Sequence, residues 1–389
     1  MKRVAVVGYG FMGRTHYGAW RRTRGAKVVA VCDSNLSQLA AKVTGNIADV
    51  ADNTPLPKSI RVYDDFDKML EAGGFEIVDI TLPTMLHKEC VVKAVKAGYH
   101  VLCEKPMALS AKDGRAMIAA ARKADRKLMV AHVVRFQAAS LYLKNLVQTR
   151  KYGKVIAAEF SRFIAPPKWS PKGADWFFDE KKSGGVYLDA HIHDIDLMLS
   201  VFGCPQGVVA AVRRRSDGYP DHTSAIYSYP GFIVTTTCSF AASQSLLFDS
   251  AYRVFFEKAT VFCGARYQGG MVTVYPEKGK PFSPKTADKA KAYADEVRYF
   301  LDYVEGRNDG MYMSMKSACD SVALAEAERS AALGSRSGIQ RSLSCRNTEN
   351  SFLRMKSRPC SLNAQSCVSV NPQGCDDGKD MTTWDFSNF

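Results

Sequence analysis

The chain has no run of 18 consecutive apolar residues, so its sequence offers no transmembrane helix. Its 11 cysteines include no C-x-x-C pair, which removes the commonest zinc and redox spacings. H-E-x-x-H is also missing, and with it the metalloprotease helix. No metal site is expected. Carboxylates are scarce relative to cations: 39 Asp and Glu face 53 Lys and Arg, a net charge of +14. The basic residues are spread along the chain, and the cluster Arg213-Arg214-Arg215 is short and ends a strand-like segment. A diffuse positive field suits steering of an anionic cofactor or substrate better than gripping a nucleic acid. The chain starts directly on an apolar strand pattern. That leaves no room for a secretory leader and predicts a cytoplasmic protein. In a reducing compartment Cys32, Cys90 and Cys103 read as small buried apolar residues.

What is present begins at once. Val4 to Val7 is a buried-strand pattern that stops at Gly8, and Gly10 and Gly13 complete G-x-G-x-x-G. Gly8 permits a tight turn, Gly10 lets a pyrophosphate approach the backbone, and Gly13 lets a helix lie close to the strand. The helix start, Phe11 and Met12, would offer free N–H groups to phosphate. A second strand, Lys27 to Cys32, ends at Asp33, 20 residues past Gly13. A carboxylate there accepts hydrogen bonds from an adenosine ribose and disfavours a 2′-phosphate, so NAD is preferred over NADP.

The same alternation continues. Leu36, Leu39, Ala40 and Val43 predict a short helix, Ile60 to Tyr63 a strand, Phe66 to Leu70 a helix stopped by Gly73-Gly74, and Glu76 to Ile80 a strand. Thr81-Leu82-Pro83-Thr84 breaks that strand at the end where α/β sites form. His87 to Ala97 is helical, His100 to Cys103 a strand, and Glu104-Lys105-Pro106 comes immediately after it. From there Lys105 can reach a substrate oxygen. Ser110 caps a helix to Ala124, and Lys127 to Val134 is the sixth strand. Residues 1–134 thus read as a doubly wound dinucleotide-binding domain.

Residues 135–334 have a different rhythm. Ala138 to Thr149 is helical and Val155 to Phe163 a strand. A segment with Trp169, Trp176, Phe177 and Phe178 predicts an aromatic loop, either over a pocket or packed between subunits. Next comes Gly184-Gly185-Val186-Tyr187-Leu188-Asp189-Ala190-His191-Ile192-His193-Asp194-Ile195-Asp196. On a regular helix Asp189, His193 and Asp196 share a face. A histidine held by such a carboxylate is a general base. Six strand-like segments between Gly207 and Tyr275 predict one large, mostly antiparallel sheet, and helices at 287–305 and 314–332 close the domain, the first packing back on the N-terminal domain. The free sheet face predicts a homodimer or homotetramer. Residues 335–389, with Cys345, Cys360, Cys367 and Cys375, read as a disordered or only loosely held tail.

The glycine loop, Glu104-Lys105-Pro106 and the Asp189/His193 pair together resemble the glucose–fructose oxidoreductase and inositol dehydrogenase family, Gfo/Idh/MocA, over about residues 2 to 336. The resemblance implies a Rossmann domain followed by an α+β domain, NAD or NADP as cofactor, and hydride transfer to or from a sugar or cyclitol hydroxyl. It makes Lys105, Asp189 and His193 the catalytic set: His193 takes the hydroxyl proton, Lys105 stabilises the alkoxide, and Asp189 positions the substrate or polarises His193. It assigns Gly8, Gly10, Phe11, Met12, Gly13, Asp33, Thr81, Pro83, His87, Glu104 and Lys105 to the cofactor. Lys105, Arg135, Trp169, Trp176, Asp189 and His193 go to the substrate. Thr84 stands where the family's T-P-N-x-x-H segment has Asn, and His191 where many members have Gly, which implies a modified pocket. Nucleotide-linked sugars, dihydrodiols, redox-initiated glycoside cleavage and a non-catalytic nucleotide-binding protein stay open as alternatives.

Overall fold

The computed structural model describes residues 1–40, 42–43, 51–166, 176–246, 248–264, 271–284, 289–334, 341–343 and 368–370. The first domain is built on β1 (Lys2–Val7), β2 (Ala26–Cys32), β3 (Arg61–Tyr63), β4 (Ile77–Ile80), β5 (His100–Glu104) and β6 (Leu128–Ala131). They form one sheet in the order β3-β2-β1-β4-β5-β6, with every pairing parallel. Such a sheet must be covered on both faces, which explains why β1, β4 and β5 are apolar runs rather than alternating patterns. The connecting helices are α1 (Phe11–Arg22), α2 (Phe66–Ala72), α3 (Thr84–Lys96) and α4 (Ala111–Lys123). Their caps come from the local sequence. Asp65 accepts the Lys68 N–H and Ser110 the Asp113 N–H, satisfying donors the first turn leaves open. Gly73, at φ 56°, ends α2.

Two expectations shift. The helix expected from Leu36 to Val43 is a single 3₁₀ turn, Leu36–Leu39, introduced by Asn35, whose side chain accepts the Ser37 N–H. That local bond competes with a longer helix. Strand β6 ends at Ala131 rather than Val134, because the chain turns at once into a 3₁₀ segment, Val133–Phe136. That turn carries Arg135 into the second domain.

The second domain opens with α5 (Ala138–Thr149) and β7 (Val155–Ile164). After them come a short helix, α6 (Glu180–Ser183), a π-helical turn, Tyr187–His191, and α7 (Ile192–Phe202). Then come β8 (Gly207–Arg214), β9 (Pro220–Tyr229), β10 (Phe232–Ser239), β11 (Phe248–Phe256), β12 (Ala259–Gly264) and β13 (Val272–Pro276). The chain closes with α8 (Lys289–Val304), α9 (Met315–Gly334), β14 (Arg341–Leu343) and β15 (Val368–Val370). The large sheet runs β13-β12-β11-β7-β10-β9-β8-β15-β14. It is mostly antiparallel, with β7/β10 and β14/β15 parallel. The segment read as a loose tail therefore contributes two short strands to the sheet edge, and its four cysteines lie outside the described residues.

Helix α8 returns to the first domain, where Tyr293, Val297 and Phe300 pack with Val4, Val6 and Trp20. Helix α9 is the strut between domains. Its Glu326 accepts the Ala111 N–H of α4, while Glu328 accepts hydrogen bonds from Thr223 and Tyr227 of β9. Among the described residues no helix is long and apolar enough to cross a membrane.

Candidate active site

The parallel sheet delivers its chemistry to one edge. β1 is followed at once by Gly8, β4 by Thr81, β5 by Lys105 and β6 by His132. At Gly8 the backbone has φ +84°, and a Cβ there would lie 2.8 Å from the Thr81 carbonyl oxygen. A Cβ at Gly13 would lie only 1.9 Å from the Gly8 oxygen. Gly10 differs: among the described residues no atom beyond its own stretch of chain stands within 4 Å of its Cβ position. Helix α1 starts beside that open space, with no side chain capping it and no acidic residue in its first turn. The loop fits a pyrophosphate, which would meet the N-terminal backbone of Phe11 and Met12. Asp33 completes the cradle; Oδ2 accepts the Tyr9 N–H at 2.7 Å and Oδ1 the Asn35 N–H at 2.8 Å. Thr81 braces the loop, donating from Oγ1 to the Gly8 oxygen at 2.6 Å. Gly13→Ala should therefore abolish dinucleotide binding, measured by NADH fluorescence titration; retained affinity would mean that this loop is not the site.

Lys105 reaches across to the second domain. Its Nζ donates to the Asp189 carbonyl oxygen at 2.6 Å and lies 3.7 Å from Asp189 Oδ1. Asp189 sits inside the π-helical turn, so the expected regular helical face shared with His193 does not form. A π turn inserts an extra residue and rotates the rest of the helix about its axis. No hydrogen bond joins Asp189 to His193, and His193 Nδ1 has no partner among the described residues. Asp189 thus anchors Lys105 rather than orienting His193. Burial and the neighbouring Lys105 and Arg162 cations hold the His193 imidazole well below its ordinary pKa. It is therefore neutral near pH 7, the form a general base requires.

Two buried ion pairs place His193. Arg162 of β7 grips Asp194 through two bonds of 2.9 Å. Arg135 grips Asp196 through bonds of 2.7 and 2.6 Å, and gives its remaining nitrogen to the Tyr312 carbonyl oxygen at 2.8 Å. Arg135 was expected to bind substrate. Its three guanidinium nitrogens are instead occupied inside the protein, and it holds α7 to the turn after β6. His132, beside them, is buried, has no hydrogen-bond partner at either ring nitrogen among the described residues, lies 3.6 Å from Asp196 Oδ2, and is pulled down to about 4 by burial.

Other expected residues also take different places. His87 is buried, with Nδ1 and Nε2 each 2.8 Å from a carbonyl oxygen, of Pro106 and Leu82 respectively. Burial lowers its pKa, so a neutral ring donates to one carbonyl at a time. It ties the Thr81 turn to the Lys105 turn rather than reaching a cofactor. Glu104, also expected at the cofactor, points inward: Oε1 lies 3.0 Å from His16 Nε2, and Oε2 accepts the Lys105 N–H. His191 is fully buried, with Nδ1 3.0 Å from Glu328 Oε2. It supports the π turn from behind instead of shaping a pocket. Pro83 forms the N-cap of α3. Trp176 packs edge-on against Phe177 at 5.9 Å, and it is not among the residues, Phe178, Arg215, Tyr219 and Phe240 among them, that line a cavity of about 310 Å³. Trp169 lies outside the described residues. Among the described residues no group of three His, Cys, Asp or Glu is arranged to hold a metal.

Sequence reasoning missed His16, Asp79, His132, Arg162 and Glu328. A signal for one was present. Asp79 interrupts I-V-D-I, a strand buried along its whole length, and a carboxyl there demands a partner.

Residues 2–132 match the oxidoreductase family with an NAD-binding Rossmann fold, and residues 140–262 match the Gfo/Idh/MocA C-terminal domain. The chain belongs to the Gfo/Idh/MocA family. It is 30% identical over 253 residues to D-apiose dehydrogenase of Paraburkholderia graminis, covering 62% of this chain and 61% of that one. The matched region thus spans about three fifths of that relative. Among solved structures, the aldose-aldose oxidoreductase from Caulobacter crescentus complexed with glycerol superposes with a TM-score of 0.72 at 21% identity, over 85% of this chain and 97% of that one. An oxidoreductase from Agrobacterium radiobacter in complex with NAD+, L-tartaric acid and magnesium gives 0.70 at 19% identity, over 85% and 96%. At that identity the two structures share the fold. Within this family member the Rossmann sheet edge and the π turn of the second domain meet at Lys105.

Proposed function

We propose that this Gfo/Idh/MocA protein is an NAD-dependent dehydrogenase that moves a hydride between a hydroxyl-bearing carbon of a sugar or cyclitol and nicotinamide. The observation that carries the reading is the meeting of Lys105, Asp189 and a neutral His193 at the sheet edge that also holds the glycine loop. Bound there, the cofactor would supply a hydride acceptor at C4 of its nicotinamide. Gly8, Gly10, Gly13, Phe11, Met12 and Asp33 would hold it. Lys105 hydrogen-bonds the substrate oxygen and stabilises the alkoxide as it forms. His193 removes the hydroxyl proton, and returns it in the reductive direction. Asp189 holds Lys105 in place through its carbonyl oxygen. Asp33 favours NAD over NADP, since a 2′-phosphate would meet its carboxylate. The sugar class is supported by the likeness to D-apiose dehydrogenase, and Trp176 suits the apolar face of such a ring.

The test is reduction of NAD and of NADP, tracked by absorbance, against inositols, aldoses, uronic acids and UDP-sugars. Turnover of a polyol with NAD supports the reading, and Asp33→Ala should narrow the preference for NAD. Tight NAD binding without turnover of any panel member contradicts it.

We also infer a homodimer or homotetramer formed through the large sheet. Ile226 and Ile233, each 47% exposed, lie diagonally across the adjoining strands β9 and β10 on the outer face of the sheet. Contiguous exposed apolar residues of this kind mark an interface. Ile226→Glu with Ile233→Glu should shift the protein to monomers in light scattering after gel filtration; an unchanged oligomer would place the interface elsewhere.

A further inference from the structure

One buried charged network lies beside the active centre. His16, three residues beyond Gly13 on α1, is fully buried. Its Nδ1 lies 3.0 and 2.9 Å from the two carboxyl oxygens of Asp79 on β4. Its Nε2 lies 3.0 Å from Glu104 Oε1 at the end of β5. Trp20, one turn further along α1, donates from Nε1 to Asp79 Oδ2 at 2.7 Å. The other Glu104 oxygen accepts the backbone N–H of Lys105 at 2.8 Å. An unbroken chain of hydrogen bonds therefore runs from the glycine-loop helix to the backbone of Lys105, whose ammonium then holds Asp189.

We propose that His16 is a positioning residue for hydride transfer, clamping Glu104 and thereby fixing the backbone from which Lys105 reaches the substrate. The proposal rests on the dehydrogenase reading of Lys105. Helix α1 is packed through Gly13 against Gly8 of the loop that would cradle phosphate. Anything that seats α1 also seats His16, and through Glu104 it seats the Lys105 turn. One imidazole makes cofactor loop and catalytic lysine a single rigid unit, the kind of support that holds a reacting group to within a fraction of an ångström.

Among the described residues His16 is the one cation hydrogen-bonded to both Asp79 and Glu104, and Lys105 adds its charge near Glu104. Asp79 and Glu104 face it from the sheet, and Glu296 and Tyr293 from α8. Burial alone would lower the His16 pKa, yet Asp79 and Glu104 raise it well above the ordinary value. It is an imidazolium, able to donate from both nitrogens at once. Glu104 is correspondingly held below its usual range by His16 and by Lys105, despite its burial. Glu296 has no hydrogen-bond partner at either oxygen among the described residues. Burial, Glu104 and Asp79 push it up so that it stays neutral. One cation thus serves two carboxyl groups, and Glu104 turns its second oxygen to Lys105.

The experiment compares wild type, His16→Gln and the double variant His16→Gln/Glu104→Gln. Three quantities are read: NADH affinity by fluorescence, kcat and KM, and the rate at which trinitrobenzenesulfonate labels Lys105, measured across pH by peptide mass spectrometry. The clamp predicts that His16→Gln keeps NADH affinity, loses kcat on the order of 100-fold with little change in KM, and changes the pH profile of Lys105 labelling. The double variant regains thermal stability, because the two amides can pair, but not kcat. Wild-type kcat and labelling in His16→Gln overturn the proposal. So does activity that returns with stability in the double variant, which would make His16 a purely structural residue. If His16→Gln fails to fold, Glu104→Gln alone decides. It keeps a partner for His16 but turns an N–H donor toward the Lys105 N–H; unchanged labelling and kcat there overturn the clamp. If the wild type oxidises no polyol, the dehydrogenase reading has failed, and the labelling comparison still judges the clamp by itself.

Discussion

Lys105→Met lowers kcat by about 10³-fold and leaves the protein folded. The Lys105 side chain is 16% exposed and ends on a carbonyl and a carboxylate that water can reach, so its loss strands little inside the protein. A second consequence sets this apart from a simple loss of a binding group. Lys105 is among the cations that depress His193. With Lys105 and Arg162 present, protonation of His193, which would switch off the proposed base, occurs well below the ordinary histidine value of about 6.5. The acid limb of kcat/KM in wild type therefore lies below about pH 6.5, and activity falls only as pH drops through that lower pKa. In Lys105→Met one depressing charge is gone, and the limb of the residual activity moves upward. His193→Asn removes the limb altogether. A limb that stays in place in Lys105→Met would separate the two residues and break the assignment of roles.

The largest stability effect is expected at Asp196. Asp196→Ala leaves the buried guanidinium of Arg135 with the Tyr312 carbonyl oxygen as its remaining partner and takes the acceptor from Ser321 Oγ. Breaking one side of such a pair costs about 3–5 kcal/mol, a drop in melting temperature on the order of 10 °C. The paired replacement Arg135→Met/Asp196→Leu recovers most of it, since apolar groups of similar volume need no solvation. The sign with pH is set by the depressed pKa of Asp196, which is buried yet held down by Arg135. Its contribution is complete above the unfolded value of about 3.9 and is lost as pH falls through the lower folded value. Calorimetry of the three proteins between neutral and acid pH checks both points. A fall of only about 0.3 kcal/mol for Asp196→Ala, the scale of an exposed pair, would mean that the pair adds nothing to the joint between domains.

The first domain was legible because its signals are local. Gly8, Gly10 and Gly13 mark a backbone path that side chains would block, and the apolar runs of β1, β4 and β5 announce strands covered on both faces. Lys105 was legible for the same reason, as a charge placed at the end of a buried strand. Arg135 and His87 were misplaced because sequence shows a residue's type and neighbours but not which distant group satisfies it. Asp196 lies 61 positions from Arg135. Asp189 was read on a regular helix, and nothing in Tyr187 to His191 announces the extra residue of a π turn. What holds that turn is a buried contact between His191 and Glu328, made across the fold by α9.

Direct hydride transfer at this sheet edge, as proposed, carries the substrate's own carbon-bound hydrogen to nicotinamide. The experiment uses the polyol that NAD oxidises best, deuterated at its hydroxyl-bearing ring carbons. The NADH formed is expected to carry one deuterium at C4 of nicotinamide, in wild type and in the residual turnover of Lys105→Met alike. NADH formed without label would contradict it.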